Sequence, residues 1–193
     1  LQGKSVVVGG PPESRGVVAA ASYEARKFGV RSAMPMRTAL RQCSELVRVS
    51  PRFDRYRQVS SQVMDIFRSA TQIIEPLSLD EAYLDITQAV AEGAFPLTLA
   101  LDLKQRVMAD TGLAISIGIG TCKSVAKIAS DLEKPDGLVV VAPGGEATFL
   151  APLPVSKLPG IGPKTVGRLK REDIETIGQL ARQPQEWFLR SFG

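Results

Sequence analysis

Histidine is absent from this 193-residue chain. That absence excludes histidine triads, histidine general bases and most transition-metal sites, so any metal must rest on oxygen ligands. Cysteine is scarce: Cys43 and Cys122 are distant from each other and outside any C-x-x-C spacing. This argues against a disulfide framework or a zinc site and suits a reducing compartment. No apolar run approaches the roughly 20 residues that a membrane helix needs. The first residues, Leu1 to Val8, carry neither a basic leader nor a cleavage pattern. The expectation is a soluble, cytoplasmic protein with no membrane partner.

What is present is ordinary globular material, 44% hydrophobic and 23% charged. A chain of this length buries about 70% of its surface on folding, enough for a sizeable core. The net charge of +4 and pI near 9.2 lean toward polyanionic partners, although many proteins that never touch nucleic acid share so modest an excess.

Periodicity divides the chain into three regions without repeats or low-complexity tracts. Residues 1–52 are rich in arginine: an apolar strand (Val6 to Val8), a break at Gly9-Gly10-Pro11-Pro12, a second apolar stretch (Val17 to Ala21) and short helices around Tyr23 to Phe28 and Pro35 to Cys43. Residues 53–142 alternate helix and strand. A helix repeats Val59, Val63, Ile66 and Phe67 on one face, and a hairpin pairs Ile73-Ile74 with Ala82 to Ile86 around a polar bend. There follow a helix presenting Leu97, Leu101 and Met108, an alternating strand (Ile115 to Ile119), a helix (Cys122 to Leu132) and a last strand (Leu138 to Val141). Residues 143–193 show short helices punctuated by proline and glycine, with Thr176 as a helix cap. The fold class expected is α+β, with helices on one face of a sheet and a small helical module after it.

Two acidic doublets occur. Glu172-Asp173, beside Lys170 and Arg171, reads as a solvated helix end. Asp80-Glu81 lies at the edge of apolar strands, where neighbouring carboxylates repel unless a cation neutralises them. The bend of the hairpin lets both side chains converge, and hard divalent cations with open positions for phosphate suit such a pair. A charged surface turn is the competing reading.

Ser22 can cap a helix on which Tyr23 and Arg26, three residues apart, share a face. A phenol beside a guanidinium suits phosphate oxygens, and an arginine lying over a hydrophobic neighbour explains the pair equally well. Lys123 and Lys127 read as solvated, whereas Lys134 is held in a defined turn by Pro135 and Gly137. Leu158-Pro159-Gly160-Ile161-Gly162-Pro163-Lys164-Thr165 leads into a helix with proline in its first turn. It resembles the helix-hairpin-helix motif, in which glycines let backbone amides approach a DNA phosphate; a plain tight turn is the alternative.

Taken in order, the segments 22–30, 78–85, 126–131 with 134–137, and the hairpin closely resemble Y-family translesion DNA polymerases, nearest the bacterial DNA polymerase IV (DinB-like) branch. The resemblance runs from Leu1 to Gly193. It implies small fingers (1–52, with the first palm-edge strand), a palm with a ferredoxin-like antiparallel sheet (53–142) and a partial helix-hairpin-helix thumb (143–193). By the same resemblance Asp80 and Glu81 are catalytic and bind two Mg²⁺ ions, with Mn²⁺ as a substitute. Tyr23, Arg26 and Lys134 hold the incoming dNTP, and Gly160, Ile161, Gly162 and Lys164 contact DNA.

The implied function is low-fidelity, template-directed synthesis on primer-template DNA by a monomer, with any sliding clamp bound through regions outside this chain. Three departures from the family pattern bear on that expectation. The chain starts after the strand that carries a further metal-binding aspartate and the aromatic that screens out ribonucleotides. No C-terminal DNA-gripping domain follows, and Ala20 stands where many members have a hydroxyl residue. The expectation is therefore an incomplete catalytic fragment, with a non-catalytic helix-hairpin-helix DNA-binding protein as the alternative.

Overall fold

The computed structural model describes residues 1–192, and its helices and small sheets realise the α+β class. By density of internal contacts the chain divides into two compact units, Leu1–Gln58 and Val59–Gly193.

In the first unit β1 (Val6–Gly9) is central, antiparallel to β2 (Val18–Ala21) and parallel to β3 (Val47–Val49). β3 is a strand that the sequence reading missed, because three residues are too few to show alternation. A 3-10 turn (Pro12–Ser14) links β1 to β2. The helices α1 (Tyr23–Lys27) and α2 (Met36–Gln42) bring Ala25, Met36 and Ala39 onto Val7, Val18 and Val30 in one buried cluster.

The long helix α3 (Phe53–Arg68) leads into the second unit. The hairpin follows as β4 (Ile74–Pro76) and β5 (Ala82–Leu84), antiparallel with Glu75 opposite Tyr83. β5 stops two residues short of the expected Ile86. The Asp85 carboxylate accepts the Thr87 amide at 2.9 Å and so opens α4 (Thr87–Ala91), a turn-forming competition typical of aspartate. α5 (Pro96–Thr111) ends at Gly112, whose φ of 70° a glycine adopts without cost.

The core face of α5 differs from the expected one. Leu97, Leu101 and Met108 are exposed, whereas Ala100, Leu103 and Val107 are buried, the last two packed with Ile66 and Leu84. This helix carries two apolar stripes, and the one spaced by three and four residues in succession meets the strands.

β6 (Ile117–Ile119), α6 (Lys123–Leu132) and β7 (Leu138–Val140) complete the middle of the chain. Within residues 53–142 the described strands form two pairs, β4-β5 antiparallel and β6-β7 parallel. The parallel pairing follows from the helical crossover between the two strands. α6 lies hard against β6 because Gly118 has no side chain: a Cβ there would fall on the Ala126 carbonyl oxygen and the Ser130 amide nitrogen. Lys104 of α5 is a further unforeseen tie, donating to the carbonyls of Ile115 (2.6 Å) and Asp136 (2.9 Å) and to the Asp136 carboxylate (2.5 Å).

The remaining helices are α7 (Glu146–Leu150), α8 (Pro163–Lys170), α9 (Ile177–Ala181) and α10 (Gln185–Phe192), with a 3-10 turn at Val155–Lys157. Val155, Leu169 and Ile174 form the core of α8 to α10, while Phe149 and Leu150 of α7 pack on the cluster of Val125, Ala129 and Val141. Thr176 makes the predicted cap, in a reciprocal capping box with Gln179. Glu172 is exposed, as expected, and also accepts the Trp187 indole N–H at 2.7 Å. No helix among the described residues is long and apolar enough to cross a membrane.

Candidate active site

The β4-β5 register decides which hairpin side chains share a face. Glu75 stands opposite Tyr83, and Glu81 is two residues before Tyr83, so all three lie on one side of the ribbon. The bend is tight: the amides of Leu77 and Ser78 both donate to the Glu81 carbonyl, at 2.8 and 3.2 Å. Asp80 sits exposed on that bend, accepting the Ser78 hydroxyl at 2.6 Å.

Helix α6 meets this face with lysines four residues apart. Lys123 pairs with Glu75 and lies 5.7 Å from the centre of the Tyr83 ring. Lys127 pairs with Glu81 at 2.5 Å and has Asp131 at 3.8 Å. Asp131 in turn holds Lys134 at 2.5 Å. A chain of alternating charge therefore runs from Glu81 through Lys127 and Asp131 to Lys134, joining a predicted metal ligand to a predicted phosphate ligand.

Lys123 is exposed, as its spacing suggested, but is paired with Glu75, whereas Lys127 is largely covered. The hydrogen bond that Lys123 donates to Glu75 holds its ammonium above its ordinary pKa. Burial pulls Lys127 down, but the hydrogen bond to Glu81 and the charges of Asp131 and Glu81 outweigh it and leave that group raised as well. The sequence signal that could have found them is the match between two glutamates on one hairpin face and two lysines on one helical face.

Among the described residues no three His, Cys, Asp or Glu side chains gather as a metal cage. The donor chemistry of the hairpin bend nevertheless fits a hard divalent cation. It offers an exposed Asp80 carboxylate and a Glu81 carboxylate that already holds one positive group, and Mg²⁺ is commonly held by one or two carboxylates plus substrate phosphates.

In the first unit the predicted cap is present, with the Ser22 hydroxyl accepting the Ala25 amide at 3.3 Å. The Arg26 guanidinium lies over the Tyr23 ring, 5.0 Å from its centre, and its Nε donates to the Ala21 carbonyl at 3.1 Å. Both side chains are exposed, so the stacking fixes a charged fork beside a phenol hydroxyl.

At the hairpin before α8, Gly160 takes a left-handed φ of 88° and Gly162 caps the helix ahead of Pro163. A Cβ on either glycine would meet nothing within 4 Å, so this backbone is open. Lys164 is exposed. Ile161, also expected to contact DNA, is half-buried, its side chain packed on the cluster of Val155, Leu169 and Ile174 and its amide donating to the Leu158 carbonyl at 3.1 Å. It anchors the turn.

Comparison with known proteins bears on this arrangement. The model of the impB/mucB/samB family matches residues 1–131, and the IMS family HHH motif matches residues 143–171. The chain belongs to the impB/mucB/samB family. DNA polymerase IV of Pseudomonas paraeruginosa (strain DSM 24068 / PA7) is 49% identical over 193 residues, covering 100% of this chain and 55% of the relative. The crystal structure of DinB from Sulfolobus solfataricus superposes with a TM-score of 0.91 at 33% identity, covering 100% of this chain and 57% of that one. The insertion ternary complex of Dbh DNA polymerase gives 0.85 at 33% identity, with 99% of this chain and 57% of that one covered. Membership of this family and likeness to DinB-type Y-family polymerases bear out the resemblance read from the motifs. The chain spans about half the length of the curated relatives it matches.

Proposed function

We propose that this chain forms the fingers, palm and thumb of a translesion DNA polymerase that extends a primer on a DNA template, with the fingers in residues 1–52, the palm in 53–142 and the thumb in 143–193. The observation that carries the reading is the hairpin bend of Asp80 and Glu81, linked by ion pairs through Lys127 and Asp131 to Lys134, in a chain of this family.

Asp80 and Glu81 would hold two Mg²⁺ ions, or Mn²⁺ in their place, and these when bound would supply positive charge to the primer 3′-hydroxyl and the leaving pyrophosphate. Tyr23 and Arg26 bind the incoming triphosphate with a phenol hydroxyl and a fork of permanently charged donors, and Lys134 adds a point charge. Gly160 and Gly162 bring open backbone, and Lys164 a cation, to a DNA phosphate, which positions the duplex without reading its sequence. Ile161 serves the same turn from the inside, as its apolar anchor. Small fingers enclose the nascent pair loosely, so mismatched and damaged bases are weakly rejected.

The test is primer extension with Mg²⁺ by the longest reading frame that contains this chain. Glu81→Ala abolishes extension while DNA affinity persists. A nucleotide-induced rise in unfolding temperature disappears in Arg26→Ala. Extension unaffected by the Glu81 change rejects the assignment. DNA binding with no nucleotide response would leave the helix-hairpin-helix module as the functional part.

A further inference from the structure

We propose that Lys127 is the resident cation of the carboxylate site, occupying Glu81 when no divalent ion is bound and moving to Asp131 when one enters. The inference rests on the reading of Asp80 and Glu81 as metal ligands and concerns a residue to which that reading gives no task.

Geometry singles out Lys127 among the lysines of α6. Lys123, one turn earlier, is taken up by Glu75 and the Tyr83 ring. Lys127 alone reaches Glu81, at 2.5 Å, with only 22% of its side chain exposed. Its ammonium is thus held in the site and does not wander in solvent, and it supplies the positive charge that neighbouring carboxylates require. A divalent ion and an ammonium on one carboxylate repel each other strongly at such short range, so the two compete for Glu81.

The same helix supplies the place for the displaced group. Asp131 lies 3.8 Å from the Lys127 ammonium and one helical turn away, a spacing that needs only a change of rotamer. Asp131 also holds Lys134 at 2.5 Å. A second ammonium on that carboxylate weakens its hold on Lys134, so cation entry at Glu81 frees the lysine that meets the nucleotide's phosphate. Lys127 is a positioning residue: it acts on Glu81 and Lys134 and touches no reacting atom.

The experiment is a titration of this chain with Mn²⁺, following the free-ion signal by electron paramagnetic resonance, with thermal unfolding as a check on folding. Glu81→Gln weakens Mn²⁺ binding about ten-fold, as loss of a charged ligand requires. Lys127→Met tightens it about five-fold, because the competing charge is gone. Lys127→Arg restores near-wild-type affinity, which a purely packing role does not predict; Lys127→Gln gives the same reading if the methionine variant unfolds. Unchanged or weaker binding in Lys127→Met, with Glu81→Gln still impaired, overturns the role of Lys127 and leaves the metal site standing. Identical titrations for wild type and Glu81→Gln overturn the metal site, and the displacement of Lys127 with it.

Discussion

Residues 1–58 carry eleven lysines and arginines against four acids, while residues 59–193 carry thirteen against sixteen. The two units also anchor their cations differently. In the first, Arg26, Arg31, Arg37 and Arg48 donate to the main-chain carbonyls of Ala21, Arg26, Pro12 and Gly9. In the second, Lys104, Lys123, Lys127 and Lys134 end on carboxylates. A neutral carbonyl orients a guanidinium without cancelling its charge, whereas a carboxylate orients and neutralises at once. These four arginines therefore keep their field available to an anion, whereas these four lysines must exchange partners before they can act.

The contrast breaks most completely if α6 is pushed off β6. Gly118→Ala puts a Cβ onto the backbone of that helix and lowers stability by about 3 kcal/mol. It also takes Lys123 and Lys127 out of reach of the hairpin, and denaturant unfolding with the lysine side-chain NMR signals would show both. Lys104→Met is next, at about 2 kcal/mol, because it strands the part-buried Ile115 carbonyl beside a side chain that is only 14% exposed. The matching loss in the first unit, Arg37→Met, stays within about 0.5 kcal/mol, as for other exposed side chains; equal losses by chemical denaturation would erase the distinction.

Lys164→Ala, in the hairpin module, weakens DNA binding evenly across sequences and lowers the salt slope of log affinity by about one, measured by anisotropy. The smallest effect concerns Glu146, held below its usual 4.5 chiefly by the hydrogen bond from Thr121. A depressed carboxyl stabilises the fold above its unfolded pKa and loses that contribution as pH falls through the lower folded value. Thr121→Val accordingly flattens the acid limb of the unfolding temperature, followed from about pH 6 to pH 3.

What the sequence made readable was local. Ser22 over Ala25, the Tyr23–Arg26 face, Pro163 after Gly162 and the Thr176 box all follow from spacings of one to four residues, where backbone geometry alone dictates contact. The Asp80-Glu81 bend was readable for the same reason. The partners of Lys127 and Lys104 were not: Glu81 lies 46 residues from the one and Asp136 lies 32 from the other, and no periodicity encodes which helix face meets which strand. The buried stripe of α5 was ambiguous because its leucines lie on more than one face. The parallel pairing of β6 with β7 was, by contrast, implied by the helix read between them.

Lys104 also solves a problem of alignment. Two parallel strands of three residues offer few ladder bonds, and such short ribbons slide easily. By gripping the carbonyls of Ile115 and Asp136, just ahead of β6 and β7, one ammonium clamps the two strand entrances level. The same clamp sets where the loop before β7 ends, so a lysine with no place in the chemistry fixes the backbone two residues beyond Lys134.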